Sequence, residues 1–333
     1  SVMLLPSKQG LAAVTSQAGV FAVRNDDDPQ EVYSQGDIVG SKIGYSHAIQ
    51  VQDHVVLQSL VGNDELLVFD ELSIDSQATA VKLQGLTSAP SGAATSFNGQ
   101  VLMPLQDGKL AMFQIPQGTQ DVVAYQPTLS AGQRVAWSSP ALPSDDSDSF
   151  VILRDRKNLM RIALRQDPVD HLSKRASTEF SEPVYETIAA LKNTVFVVRR
   201  AENNDQVVGL GYQSLEELTS YNVQGRVIWG PYRFGSQVLL YTSSNQLYCF
   251  DQNQSCRWTT EQNNIKLLAT GFVNDDELIL TGGDGQIWRI QLVDGTTISI
   301  TDLEHKITRL PVMYDRQLWV PLDNGEIRVI PLG

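Results

Sequence analysis

The chain has 333 residues, 42% hydrophobic and 19% charged, a balance that sustains a packed core and excludes a disordered or fibrous polypeptide. Its formal net charge of −13 and pI near 4.7 come from acids spread over many loops. No basic stripe runs along it, so nucleic acid is excluded as the expected partner. In chain order, the opening SVMLLPSKQG lacks the charged-then-apolar layout of a signal peptide and reads as a strand around residues 2–5. The chain starts at Ser1 rather than Met, which leaves room upstream for an export signal, an anchor or a further domain. No apolar run approaches the roughly 20 residues of a membrane helix, and the sequence reads as soluble.

From Leu11 onward one unit recurs: a β-rich run, a polar turn holding Gly, Asn or Asp, and a second β-rich run. Copies begin at Leu11, Val55, Gln100, Phe150, Thr194, Gln237, Glu277 and Gln317. Several turns carry residues that accept φ > 0, such as Asp107-Gly108, Asp284-Gly285 and Asn324-Gly325, and second arms such as 286–292 alternate apolar and polar residues. Both features mark hairpins. Their WD40-like spacing of roughly 40 to 50 residues is the period of a four-stranded propeller blade.

Around the hairpins, runs such as 265–270 and 307–314 supply a preceding strand, and more polar runs such as 121–125 and 298–301 a following one. With strands named A to D, the last copy stops after C at Pro331. The strand at 2–5 is then either A of the first unit or a partner of the last. The fold expected is all-β, an eight-bladed β-propeller of four-stranded antiparallel blades, with a seven-bladed ring containing one irregular hairpin as the alternative. Residues 214–219 read as outer strand and loop rather than helix. No linker is evident, so residues 1–333 are expected to form a single domain, acting as a monomer.

Cys249 and Cys256 lie in QLYCFDQNQSCRW. A two-residue turn at Gln252-Asn253 would set them opposite one another, within reach of a disulfide; the alternative is two small apolar side chains. With no CxxC and no histidine nearby, they make no zinc site.

The same segment resembles the repeat of the quinoprotein-like (PQQ-repeat) propellers through Leu247, Tyr248, Phe250, Asp251 and Trp258, echoed at 67–70 and 287–295. That family contains pyrroloquinoline-quinone dehydrogenases and the non-enzymatic scaffold lipoprotein of outer-membrane protein assembly, both eight-bladed. Most copies here lack the docking tryptophan and the Ala-x-Asp-x-x-Thr-Gly run, and there is no adjacent-cysteine pair. The resemblance therefore implies the fold and leans toward the scaffold branch. It also implies an extracytoplasmic setting, periplasmic or envelope-associated.

The histidines His47, His54, His171 and His305 fall in different units without metal-ligand spacing. The glycine-rich 281–285 sits between two strands and reads as a turn rather than a phosphate loop. Asp145, Asp146 and Asp148 lack the glycine and distal glutamate of an EF-hand loop, and Asp26, Asp27 and Asp28 ahead of Pro29 read as a solvated turn. Neither a metal nor a cofactor is expected; pyrroloquinoline quinone with calcium would be needed only by the enzyme branch.

In a propeller the D-to-A and B-to-C loops crowd one face around the channel mouth. That rule selects His47, Trp137, Glu182, Trp229, Tyr232, Lys266 and Arg309 as binding candidates, aromatics beside opposite charges suiting a peptide or small-molecule pocket. The competing reading makes the aromatics core and the charges rim. No GxSxG, no Cys/His pair and no phosphate cradle appears. The function expected is non-catalytic binding or scaffolding of a protein or peptide partner on one face, with a PQQ-dependent oxidoreductase as the alternative.

Overall fold

The computed structural model describes residues 2–7, 10–15, 20–23, 47–59, 64–70, 79–144, 146–261, 267–274 and 276–332. Every regular element among them is a β-strand, and the strands group into eight sheets in chain order. The first sheet holds β1 (Val2–Ser7), β2 (Gly10–Thr15) and β3 (Val20–Val23). The second holds β4 (His47–Val51), β5 (His54–Gln58), β6 (Glu65–Phe69) and β7 (Thr79–Lys82). The third comprises β8 (Thr95–Phe97), β9 (Gln100–Pro104) and β10 (Leu110–Phe113), and the fourth β11 (Ser149–Arg154), β12 (Asn158–Arg165) and β13 (His171–Glu179). The fifth is β14 (Ala189–Ala190), β15 (Thr194–Arg199), β16 (Gln206–Gly211) and β17 (Glu217–Asn222). The sixth is β18 (Val227–Phe234), β19 (Gln237–Thr242), β20 (Gln246–Asp251) and β21 (Cys256–Glu261). The seventh runs through β22 (Leu267–Asn274), β23 (Glu277–Gly282), β24 (Gln286–Gln291) and β25 (Thr297–Asp302), and the eighth through β26 (Val312–Tyr314), β27 (Gln317–Pro321) and β28 (Ile327–Pro331).

All eight expected hairpins are present as the central strand pairs. Their apolar runs follow from where the cores lie: among the described residues, buried clusters sit between neighbouring sheets, so the B and C strands are covered on both faces. Phe97, Leu102, Phe150 and Ile162 join the third and fourth sheets. Val151, Leu159, Val197 and Leu210 join the fourth and fifth, and Phe196, Val207, Leu240 and Phe250 the fifth and sixth. Accordingly β10 and β19 are buried at every position, whereas the outer β17 is exposed at every position. Burying a Leu or Phe side chain contributes about 1.5–3 kcal/mol, so these central strands dominate the stability of each sheet.

The chain clusters into two compact units, Gly62–Asp64 with Lys82–Asn263, and Ser1–Val61 with Glu65–Val81 and Asn264–Gly333. In the second of these, β1 pairs with β2 from Val2↔Thr15 to Ser7↔Gly10. The N-terminal strand thus serves as the A strand of the first sheet, and the eighth sheet keeps three strands. Leu4, Leu11 and Trp319 form a buried cluster between those two sheets.

Two flanking strands differ from expectation. Residues 121–125 form no strand: Tyr125 bridges Leu110, while Val123 bridges His171 in parallel. Because that segment divides its hydrogen bonds between two sheets, it builds no ladder on either. The 307–314 run is strand only at Val312–Tyr314, with a separate bridge between Ile307 and Leu322; Pro311 lacks the N–H that a continuous ladder would use. Of the 265–270 run, residues 265 and 266 lie outside the described residues.

The four-stranded design carries a repeated bulge between C and D. The register slips between Arg161 and Ile162, Gly209 and Leu210, Cys249 and Phe250, and Arg289 and Ile290. Each slip leaves one extra D-strand residue, Arg175, Leu218, Arg257 or Ile298, and all four are exposed. A bulge bends the strand and increases its twist.

This bulge overturns the disulfide expectation. Cys249 pairs with Trp258 and Cys256 with Phe250, and the turn lengthens to 251–255, where the Asp251 carboxylate accepts from the Asn253 and Ser255 amides. Both thiols are free. The Cys249 Sγ–H donates to Gln237 Oε1 at 3.1 Å, while Cys256 packs on the far face against Tyr248 and Phe250.

Candidate functional site

Asp64 and the B-to-C loops of the third, fourth and fifth sheets are each tied to the segment that leads into the next sheet. The Leu83 amide donates to Asp64 O, Val135 to Gln106 O, Val184 to Arg156 O, and Val223 to Asp205 O. These bonds of 2.7–3.0 Å hold the loops as one continuous rim. The fourth sheet's turn is the most basic stretch of it, Arg154-Asp155-Arg156-Lys157. Asp155 (φ 52°) and Arg156 (φ 57°) take the paired left-handed geometry of a type I′ turn.

That turn is clamped on both sides. Asp155 Oδ1 accepts from the Ala136 amide at 2.9 Å, Arg156 Nε donates to Val184 O at 2.9 Å, and Lys157 Nζ donates to Ser181 O at 3.2 Å. Arg156 and Lys157 therefore bond to carbonyls, which leaves their positive charge unneutralised at short range.

Next to it, Arg200 closes a charge network. Asp205 has no side-chain exposure; its carboxylate takes a short hydrogen bond from Arg200 Nη1, another from the Val227 amide at 2.8 Å, and lies 4.0 Å from Arg226. The Arg200 guanidinium also stacks 4.3 Å above the Tyr185 ring. Burial pushes the Tyr185 phenol above its ordinary value, and Arg200 and Arg156 pull the other way. Tyr232 is likewise raised, first by burial and then by Tyr185, with a hydrogen bond from Thr187 opposing. Arg233, one residue on, donates to Leu142 O at 3.3 Å, tying the inner strand of the sixth sheet to the segment ahead of β11. The local backbone requires Gly230: its φ is 78°, and a Cβ there would collide with the Leu239 carbonyl.

The sequence candidates divide. Glu182 belongs to this rim, exposed on the segment held by Lys157 and Arg156, whereas Tyr232 lies within β18, next to Tyr185 and Thr187. Trp229 is 5% exposed and packs edge-on to Tyr232 at 5.0 Å. Trp137 is core: it sits between the third and fourth sheets with its indole N–H donating to Leu105 O at 3.1 Å. His47 opens β4 and is half-buried, its imidazole pKa lowered by burial. Arg309 is exposed ahead of β26. His47 and Arg309 belong to the other compact unit. Lys266, Asp145 and the Asp26–Asp28 turn lie outside the described residues.

Sequence reasoning missed Arg156, Tyr185, Arg200 and Asp205. The available signal was five cations packed into two short stretches, 154–157 and 199–200, of an acidic chain. Among the described residues no group of three or more His, Cys, Asp or Glu side chains is arranged to hold a metal, and no helix is long and apolar enough to cross a membrane.

No protein-family profile and no curated protein matches the chain by sequence. Solved structures do match by fold. BamB from Moraxella catarrhalis aligns over 98% of this chain and 95% of its own, with TM-score 0.64 and 11% identity. The computationally designed Ika8 protein aligns over 99% and 96%, with TM-score 0.69 and 14% identity. The C-terminal WD40 domain of Sif2 aligns over 97% and 92%, with TM-score 0.64 and 9% identity. WD40 repeats build β-propellers, and the all-β sheets described above share that fold.

Proposed function

We propose that residues 1–333 form a single eight-bladed propeller acting as a non-catalytic scaffold, which holds a protein or peptide partner on the loop rim of the fourth to sixth sheets. The observation that carries this reading is the rim itself. Arg156 and Lys157 are held by backbone carbonyls with no carboxylate paired to them among the described residues, and Arg200, fixed by Asp205 and the Val227 carbonyl, stacks on Tyr185, which neighbours Tyr232, in a chain whose net charge is −13. Preorganised cations next to amphipathic rings suit an extended segment with carboxylate side chains: the arginines supply charge-assisted bonds and the rings supply contact area at low entropic cost. The fold shared with BamB and the quinoprotein-like repeat at 247–258 agree with an extracytoplasmic, envelope-associated scaffold that works as a monomer without a cofactor.

The test is site-specific photo-crosslinking in an envelope fraction of the source organism. A crosslinker in place of Glu182 is expected to give a discrete adduct that disappears when Arg156→Glu and Lys157→Glu are added. A crosslinker in place of Ser299, on β25, is expected to give none. Equal adducts at both positions, or none at Glu182, would overturn the reading.

A further inference from the structure

A cavity of about 1000 Å³ opens between the third and fourth sheets at the end of the strands opposite the loop rim, where the β8–β9 and β12–β13 turns meet. That volume is at the upper end for small-molecule sites. Its lining is polar, with Val122 and Leu164 as the apolar contributions, so it does not suit an apolar ligand.

Three observations define the ligand. First, the Arg165 and Arg175 guanidiniums both line it, and no ion pair among the described residues engages either; Arg175 is the residue set outward by the bulge between β12 and β13. Two unpaired guanidiniums in so acidic a chain point to an anionic group on the ligand. Second, Gln100 Oε1 and Ser173 Oγ are buried in the lining without a hydrogen-bond partner among the described residues. A buried polar atom left unpaired carries a desolvation cost, which a ligand hydroxyl would recover. Third, Asp148, Asp167 and Asp170 also line the cavity. They would repel a dense polyanion but accept from ligand hydroxyls, as would the free nitrogen of His171, whose Nδ1 is engaged with Val169 O at 2.9 Å.

From these we infer that the cavity binds a hydroxylated anion of low charge, that is, an acidic sugar. Arg165 and Arg175 hold its charged group, and Gln100, Ser173 and the aspartates hold its hydroxyls. Two sources share this chemistry, a uronic-acid oligosaccharide and a sugar phosphate.

Isothermal titration of the full chain separates them, using digalacturonate, glucose 6-phosphate, maltose and inorganic phosphate as probes. At least one acidic sugar is expected to bind tenfold or more tightly than both maltose and inorganic phosphate. Digalacturonate ahead of glucose 6-phosphate marks the uronate source, and the reverse order the phosphate source. The pair Arg165→Gln/Arg175→Gln is expected to weaken that binding at least tenfold with an unchanged unfolding midpoint, and Gln100→Ala to weaken it several-fold. The inference fails if no acidic sugar binds, if maltose or phosphate binds as well, or if the arginine pair leaves affinity unchanged. Partner crosslinking at the rim reads out separately, so either proposal can fail without the other.

Discussion

Asp205 shows what a charge needs in order to be buried. Its Oδ2 accepts from Arg200 and the Val227 amide, while Oδ1, without a hydrogen bond among the described residues, has only the Arg226 charge at 4.0 Å, and the two arginines come from strand ends on either side of it. Removing one partner of such a pair strands the other's charge. Asp205→Ala is therefore expected to destabilise the chain by about 3 kcal/mol, visible as a shift in urea midpoint, and Asp205→Asn to recover part of the loss by keeping the bond from Val227. At Cys249, burial pushes the thiol up to about 12, against a smaller opposing pull from Arg257. The folded state thus retains a proton that the unfolded state releases above the ordinary value of 9.0. The corresponding stability is intact below pH 9 and is lost as pH rises toward 12. At pH 8 iodoacetamide is expected to label the half-buried Cys256 and to spare Cys249, as read by mass spectrometry; a disulfide-linked peptide or equal labelling would contradict the register seen here.

At the scale of the element, the C–D bulge governs what the outer strands present. It turns Leu218 and Ile298 toward solvent, 56% and 45% exposed, and Ile300 on β25 is 51% exposed. A terminal strand with uncharged β-branched residues is an edge that invites pairing with other chains. Ile298→Lys is expected to change stability by less than about 0.5 kcal/mol while raising the concentration at which the protein aggregates, measured by light scattering. The same bulge explains why the hairpins were legible in the sequence and the cysteine pairing was not. Strands such as β19, buried at all six positions, announce themselves as apolar runs. A one-residue slip inside β20–β21 leaves no compositional trace, because Phe250 and Trp258 suit either register.

For the whole molecule, the N-terminal strand matters beyond its own length. β1 covers the edge of β2, and Leu4 packs with Leu11 and Trp319 so that the first sheet is buried against the eighth. Trp319, 4% exposed, is expected to cost about 3–5 kcal/mol when replaced by Ala. Deleting residues 1–7 is expected to lower the thermal midpoint by a comparable amount, with both read by calorimetry. If the deletion left the midpoint unchanged, the packing of these two sheets would not contribute as described.

The sequence by itself determined the class and the count of hairpins. An inner strand covered on both faces must be apolar throughout, and turns that need φ > 0 must carry Gly, Asn or Asp, so both constraints are written locally. It also indicated that Glu182 lies in a loop between sheets, where the structure has it. Only the tertiary structure decided that Trp137 is core, that 121–125 is shared between two sheets, and that Arg156, Arg200 and Asp205 meet beside Tyr185. Those outcomes depend on distances between segments tens of residues apart. They are set by which sheet packs on which, and no local pattern of residue types encodes that.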